Sequence, residues 1–339
     1  MSRLCRPFSA RLGFIALAFL LTLFSSPKAS AQSGWEVVKI GDRDYVTVDS
    51  LKTFYQFAKM TRTGDTIKLE NPRVEMQLRV GSQDCLMNNV KFVFSYPIES
   101  SGSKVCISRI DLSKLVDPVL RPNYIKNAGN FRTLIIDAGH GGKDAGATNP
   151  YGCEANYTLK VAGKFKALLE AKGFKVVLTR GSDVYLSLQE RVDVANAVKE
   201  NALFISIHFN SGSSAARGIE TFTLSPQGVA HYGRDLKSSD FSNFNGNEHD
   251  SANIALATAT HGSLLRRLGT NTFDRGIKRA RWSVLTGVQH PAILVECGFV
   301  SHPYEARLIE NEAYQNALAA GLTDAVVKYR YAVSQRPQP

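Results

Sequence analysis

The 339-residue chain carries 41 Lys and Arg against 30 Asp and Glu, a formal charge of +11, and 44% of its residues are hydrophobic. That length allows about two domains. With no basic tract and no aromatic-basic repeat, the composition speaks against a nucleic-acid partner, and the modest positive excess suits an anionic polymer or surface without specifying one.

The first 31 residues read as an export signal: Arg3, Arg6 and Arg11 precede an apolar run from Leu12 to Phe24, and Ala29-Ser30-Ala31 supplies small residues for cleavage. The run is shorter than the roughly 20 residues a membrane-spanning helix needs. Cys5 precedes the apolar core, so no lipid-attachment cysteine stands at the cleavage point. The mature chain is expected to begin near Gln32, outside the cytoplasm (periplasmic or extracellular), with no integral membrane segment. Cleavage removes four basic residues and no acidic ones, which leaves 37 against 30 and a net +7.

Residues 35–122 alternate short β-like runs with Gly, Asn and Asp turns and predict a small α+β module. Strands fit Val37–Ile40, Tyr45–Val48, Thr66–Leu69, Val74–Val80, Lys91–Phe94 and Val105–Ser108. Two stretches echo each other: "YVTVDSLKTF" and "VCISRIDLSKLV" each read as a strand followed by a capped helix. All seven histidines lie at position 140 or beyond, so this module offers no imidazole for a metal site. Cys85 and Cys106, both in this module, are the pair an oxidising compartment would join, and two buried thiols are the alternative. The layout resembles the small module at the N-terminus of copper amine oxidases and of many bacterial wall proteins; without histidine, that likeness carries no copper.

"RPNYIKNAGNF" reads as a linker, over 123–132, and the pattern then changes to strands alternating with helices through 133–330. Strands fit Thr133–Asp137, Lys175–Leu178, Leu203–Ile207, Gly218–Thr223 and Ala292–Val295. Between the first two, Val161, Phe165, Leu168 and Leu169 make the apolar stripe of a helix that Gly173 stops. Ser187 and Glu190 form a capping box for a second helix, and further helices fit Ser251–Leu268 and Asn311–Tyr329. This alternation predicts an α/β fold, a mostly parallel twisted sheet with helices on both faces.

In such sheets, ligands collect beyond the carboxyl ends of the strands. His140 follows the first strand, His208 ends "LFISIH", and Glu296 closes "AILVE"; Glu154 opens the helix after the first strand. Two imidazoles and a carboxylate with an open position make a common catalytic zinc set, and a further carboxylate serves as base. Taken singly, each has a plainer role: a histidine after a strand is usually a hydrogen-bonded surface residue, and an acidic residue is favoured at a helix start. A carboxylate closing an apolar strand is costly to bury alone, however. Four such residues at one sheet edge point to function.

The motifs "DAGHGGKDAGA", "GCEANYTL", "SLQERVDVAN", "FISIHFN", "GIETF" and "PAILVECGFVSHPYEARLI", in that order from about Leu134 to Tyr329, resemble the zinc-dependent N-acetylmuramoyl-L-alanine amidases of bacterial cell walls. The resemblance implies one Zn²⁺ per chain on His140, Glu154 and His208, Glu296 as the catalytic glutamate, and peptidoglycan as substrate. With no histidine and a near-neutral charge balance, the N-terminal module is expected to place the enzyme, by binding the wall or an activator, without joining the chemistry. Candidate substrate contacts are Asn210, Lys278 and Arg281. Arg180, Asp183 and Arg191 read as structural ion pairs, and the basic run "RRLGTNTFDRGIKRAR" reads equally as a solvated surface or as a site for stem-peptide carboxylates. The glycines around His140 are expected to let the backbone bend and leave room for a glycan. His231, Tyr232 and His249 fall in a polar loop and are not expected to be ligands. Residues 224–253, dense in Ser, Asn, Asp and Gly, read as a flexible rim rather than a plug. Two rival readings stand: a cysteine hydrolase using Cys297, which leaves a histidine and Glu154 unused, and a non-catalytic wall-binding or amidase-regulating protein, which has no need of all four residues.

Overall fold

The computed structural model describes residues 34–335, and the expected leader lies outside them. The described chain opens with β1 (Val37–Ile40) and β2 (Arg43–Thr47), then α1 (Val48–Phe54). A five-strand antiparallel meander follows: β3 (Lys59–Thr63), β4 (Thr66–Glu70), β5 (Glu75–Arg79), β6 (Asp84–Met87) and β7 (Val90–Val93). Its alternation puts Ile67, Leu69, Met76, Leu78, Cys85 and Met87 on one buried face. After β8 (Glu99–Ser101) and β9 (Lys104–Ser108), α2 (Arg109–Asp111) runs through a π-helical stretch, Leu112–Val116, into α3 (Asp117–Leu120). The internal echo is a structural repeat. Thr47 caps α1 by accepting from Ser50 N, Ser108 caps α2 by accepting from Asp111 N, and the two preceding strands, β2 and β9, pair antiparallel.

The second half contributes β10 (Thr133–Ala138), the minor pair β11 (Thr148–Asn149) and β12 (Gly152–Cys153), α4 (Glu154–Ala171) and β13 (Lys175–Leu178). It continues with α5 (Leu188–Ala197), β14 (Ala202–Asn210), β15 (Ile219–Leu224), α6 (Asp250–Leu268) and β16 (Asp274–Ala280). It ends with α7 (Ser283–Gly287), β17 (Ala292–Phe299), α8 (Pro303–Glu310) and α9 (Glu312–Ser334). β13, β10, β14 and β17 are parallel neighbours, β15 runs antiparallel to β17, and β16 runs parallel to β15. β10 is buried at every position because helices cover both of its faces. Ile136, Ile205 and Ile207 pack with Phe165, Leu256 and Leu322 on one side. Ile135, Phe204 and Leu294 pack with Val192, Val284 and Leu285 on the other. The capping box at Ser187 and Glu190 forms as expected. Along α4, Val161, Phe165 and Leu169 are fully buried, while Leu168 is 39% exposed.

The change of pattern at 123–132 does not interrupt the sheet. β7 pairs parallel with β16 through Phe92 and Ile277, so the meander extends the second half's strands into one eleven-stranded sheet. Among the described residues, those from Trp35 to Gln335 form one compact unit. The expected linker is itself packed: Phe131 is buried and stacks on Phe174. Arg279 Nη2 donates to Lys114 O at 2.6 Å, and Lys114 pairs with Asp250 at 3.1 Å, which stitches the first half to α6. Cys85 and Cys106 lie in different sheets, and all four described cysteines are free thiols. No helix among the described residues is long and apolar enough to cross a membrane.

Candidate metal centre and active site

The turn after β10, the end of β14 and the first turn of α4 bring His140, His208 and Glu154 together, with one ligand atom of each within 4.8 Å of the others. His140 Nε2 lies 3.1 Å from Glu154 Oε2, and His208 Nδ1 lies 3.0 Å from Glu154 Oε1. Glu154 also accepts from the backbone N–H of Ala147 and of Phe209, both at 3.0 Å. Burial alone would raise its pKa, yet the bonds to His140 and His208 hold it far below the ordinary carboxylate range. On the far side of its ring, His140 Nδ1 meets Asp144 Oδ2 at 2.8 Å. A carboxylate there fixes the tautomer and turns Nε2 toward the cluster, as around metal-bound histidines.

His140 sits at φ +59°, a left-handed conformation that costs a non-glycine residue energy and needs support. Arg191 Nη2 donates to His140 O at 2.7 Å, Arg180 Nη2 donates to Gly139 O at 2.8 Å, and Asp183 accepts from Gly142 N at 2.8 Å. Arg191 also pairs with buried Asp137 at 2.8 Å. Arg180, Asp183 and Arg191 act structurally, but of the expected ion pairs only that of Arg191 forms, with Asp137; Arg180 and Asp183 bind backbone groups, and all three brace the His140 turn rather than closing their own loop. The glycines serve the cluster directly. A Cβ on Gly139 would lie 2.5 Å from His208 Nε2, and one on Gly146 would lie 2.7 Å from both Glu154 Oε2 and the His140 ring. The room these two leave is taken up by the side chains of His208, Glu154 and His140, while that at Gly141 and Gly142 is taken up by Arg180, Val184 and Tyr185.

Sheet register carries the site sideways. His208 on β14 stands opposite Glu296 on β17, which stands opposite Glu220 on β15. Strands about 4.8 Å apart thus line three such side chains in a row on one face. Glu296 Oε2 is buried with no hydrogen-bond partner. Burial, with Glu154 and Glu220 as negative neighbours, pushes its pKa well above the usual carboxylate range. Glu220 is itself buried, accepts from Lys278 Nζ at 2.8 Å and from Asn210 Nδ2 at 3.2 Å, and pairs with Arg275.

Two of the candidate substrate contacts, Asn210 and Lys278, therefore reach Glu220. Arg281 is spent elsewhere: its Nη2 donates to the carbonyls of Pro226, Val229 and Asp240, and its Nε lies 2.8 Å from Asp240 Oδ1. The basic run divides. Arg266 and Arg267 are exposed at the end of α6, as a solvated surface requires, whereas strand β16 buries Lys278 and Arg279, each 4% exposed. Nor do residues 224–253 form a loose rim. Fully buried Asp240 takes two 2.7 Å bonds from Arg234 besides its contact with Arg281, and Asn247 and Asn253 bind carbonyls of the same segment. The Arg234–Asp240 pair inside the segment, and Arg281 from beyond it, replace the apolar residues whose scarcity made it read as flexible.

The other five histidines have structural partners. His261 lies between Thr221 and Asp274, His231 accepts from Arg281 N, and His249 and His290 meet backbone carbonyls. His302 accepts from Glu305 N at the cap of α8. Among the described residues, His140, Glu154 and His208 make the one group able to hold a metal. Sequence reasoning missed Asp144 and Glu220. The signal for Glu220 was present, since a carboxylate inside apolar "GIETF" raises the same question as Glu296 in "AILVE".

The family model described as N-acetylmuramoyl-L-alanine amidase matches residues 134–328, which contain His140, Glu154, His208, Glu220 and Glu296. The amidase LytC of Bacillus subtilis (strain 168) is 31% identical over 208 residues, 61% of this chain and 37% of LytC. A putative N-acetylmuramoyl-L-alanine amidase of Buchnera aphidicola subsp. Baizongia pistaciae is 33% identical over 216 residues, 58% of this chain and 95% of that protein. Among solved structures, the catalytic domain of CwlV, an amidase from Bacillus (Paenibacillus) polymyxa var. colistinus, is 32% identical and covers 59% of this chain and 98% of its own, with a TM-score of 0.48. With more than half of its length matched by the family model, the chain belongs to the N-acetylmuramoyl-L-alanine amidase family.

Proposed function

We propose that the protein is an exported, zinc-dependent hydrolase that cleaves the amide between the lactyl group of N-acetylmuramic acid and L-alanine in peptidoglycan, with Glu296 as general base. The observation that carries this reading is the convergence of two imidazoles and a carboxylate beside an unpartnered buried carboxylate oxygen. Imidazole nitrogen and carboxylate oxygen donors, with one histidine's second nitrogen on a carboxylate, fit Zn²⁺. Bound there, zinc supplies Lewis-acid polarisation of the amide carbonyl and acidifies water toward a pKa of about 7. The chain's own residues do the rest. Glu296 Oε2 takes a proton from the attacking water as the water oxygen bonds to the lactyl carbonyl carbon. It returns that proton to the alanine nitrogen as the carbon–nitrogen bond breaks. Its position among negative neighbours suits a group that must both take and give a proton, since it holds a proton more readily than an ordinary carboxylate. Residues 35–122 are proposed to place the enzyme on the wall or on an activator.

The test is Glu296→Gln in the mature chain. It should retain about one zinc per chain while amide cleavage, read by mass spectrometry of fragments released from peptidoglycan, falls by roughly 10²–10⁴-fold. His140→Ala should lose metal and activity together. Full activity in Glu296→Gln would overturn the assignment.

A further inference from the structure

The row His208–Glu296–Glu220 continues past Glu220. Lys278, bound to Glu220, places its ammonium 4.5 Å from the ring centroid of Tyr232. Tyr232 is anchored through its backbone, its N–H donating to Arg279 O at 2.8 Å, yet it remains 45% exposed. Trp282, at the N-cap of α7, is 41% exposed. Its ring meets Phe222 at 6.0 Å and His231 at 4.9 Å, at 83° and 88°, so neither ring lies flat on the indole. Phe222 lies two residues beyond Glu220 on β15 and so shares the face that carries the site. His231 is held in turn by the Arg281 backbone N–H at 3.0 Å.

Single exposed aromatics need no explanation. Here the two are linked: Trp282 meets His231, the residue before Tyr232, and Lys278 Nζ lies 4.5 Å from the Tyr232 ring and 6.0 Å from the Phe222 ring that Trp282 meets, at the end of the row that holds the candidate base. Lys278 is buried beneath Tyr232 with its ammonium already paired to Glu220, so it is not free to take up a ligand's charge. That disfavours a stem-peptide carboxylate as occupant. A pyranose ring fits it: its C–H face is apolar and meets the electron-rich face of an aromatic ring, while its hydroxyls stay at the wet edge. We propose that Tyr232 and Trp282 form a stacking platform for an N-acetylhexosamine ring of the glycan strand, which would fix the direction in which the glycan leaves the scissile amide. The proposal rests on the peptidoglycan reading above.

The experiment uses the mature chain carrying Trp35→Phe, which leaves Trp282 as the one tryptophan, and a peptide-free tetrasaccharide of alternating N-acetylglucosamine and N-acetylmuramic acid. Saturable change in tryptophan emission is expected. By calorimetry, Tyr232→Ala and Trp282→Ala should each bind the tetrasaccharide about ten-fold more weakly, with Trp282→Phe recovering most of the loss. Tyr331→Ala, which removes a 69% exposed aromatic from α9, should bind as the parent does. Unchanged emission at saturating sugar, or parental affinity in both alanine variants, would overturn the platform. Should Trp282→Ala fail to fold, Tyr232→Ala and the emission change still decide. Protein that binds the tetrasaccharide but cleaves no amide defeats the function proposed above and leaves the platform standing. Protein that cleaves amide but does not bind the sugar does the reverse.

Discussion

Replacing Gly139 by alanine adds one methyl group at the most constrained point of the cluster. The new Cβ would sit 2.5 Å from Nε2 and 2.7 Å from Nδ1 of His208, whereas ordinary contact begins at 3.4 Å. Gly139 is not among the residues at positive φ, so alanine brings no backbone strain and the effect is steric. The obstacle is a ring packed beneath the Arg180-braced turn, so the imidazole must recede by about 1 Å. Metal bonds tolerate about 0.2 Å. Altering a residue behind a ligand typically costs 10–100-fold in affinity, and displacing the ligand itself should reach the upper end, about 100-fold or 2.7 kcal/mol. Zinc affinity measured by competition with a chelator, alongside circular dichroism to establish folding, reads this directly. Gly163→Ala is the control. It lies on the exposed side of α4 with nothing within 4 Å of its Cβ, so it should keep zinc and gain about 0.5–1 kcal/mol of stability. A folded Gly139→Ala protein with parental zinc affinity would show that His208 is not a ligand.

Three further outcomes are expected. Arg191→Met strands buried Asp137 and should cost about 3–5 kcal/mol at pH 7. Burial pushes Asp137 upward, but Arg191 and the hydroxyls of Thr179 and Ser206 bring its pKa below the usual value, so its stabilisation is present above about pH 4 and is lost as pH falls through the lowered value. The gap between parent and variant in urea unfolding should therefore be widest at neutral pH and narrow toward acid; a gap that grows toward acid would refute this. Asp240→Asn leaves buried Arg281 without its counter-charge, and limited proteolysis should then cut within 225–250 well before the parent is cut, whereas parental resistance would mean that the segment is held by something else. Finally, Cys297 is fully buried, and burial followed by the neighbouring Glu296 drives its thiol far above the ordinary range. Iodoacetamide on the native protein should leave turnover intact while chelation abolishes it, and inactivation by the alkylating agent alone would revive a cysteine mechanism.

The local code of this chain was strong where periodicity and chemistry coincide. Apolar β10 and β14, the capping box at Ser187 and the stripe of Val161, Phe165 and Leu169 depend on neighbours a few residues away, so they are legible without a fold. His140, Glu154, His208 and Glu296 were legible for a related reason: in a parallel sheet, strand ends share an edge, so residues at those ends must converge. Charged strand β16 could not be read this way. Its Lys278 and Arg279 look solvated until Glu220, from another strand, and the Lys114 carbonyl, from the first half, meet them. The same holds for the segment around Asp240, whose order comes from Arg234 and from Arg281 some 40 residues on. The joining of the meander to β16 rests on a backbone pairing between Phe92 and Ile277 that side-chain pattern does not encode. Sequence by itself brought forward the candidate residues at the strand ends and determined which segments are strands or helices by their own period. Tertiary structure alone decided which charges are buried, because the stability of a buried charge depends on a partner that only the folded chain brings within reach.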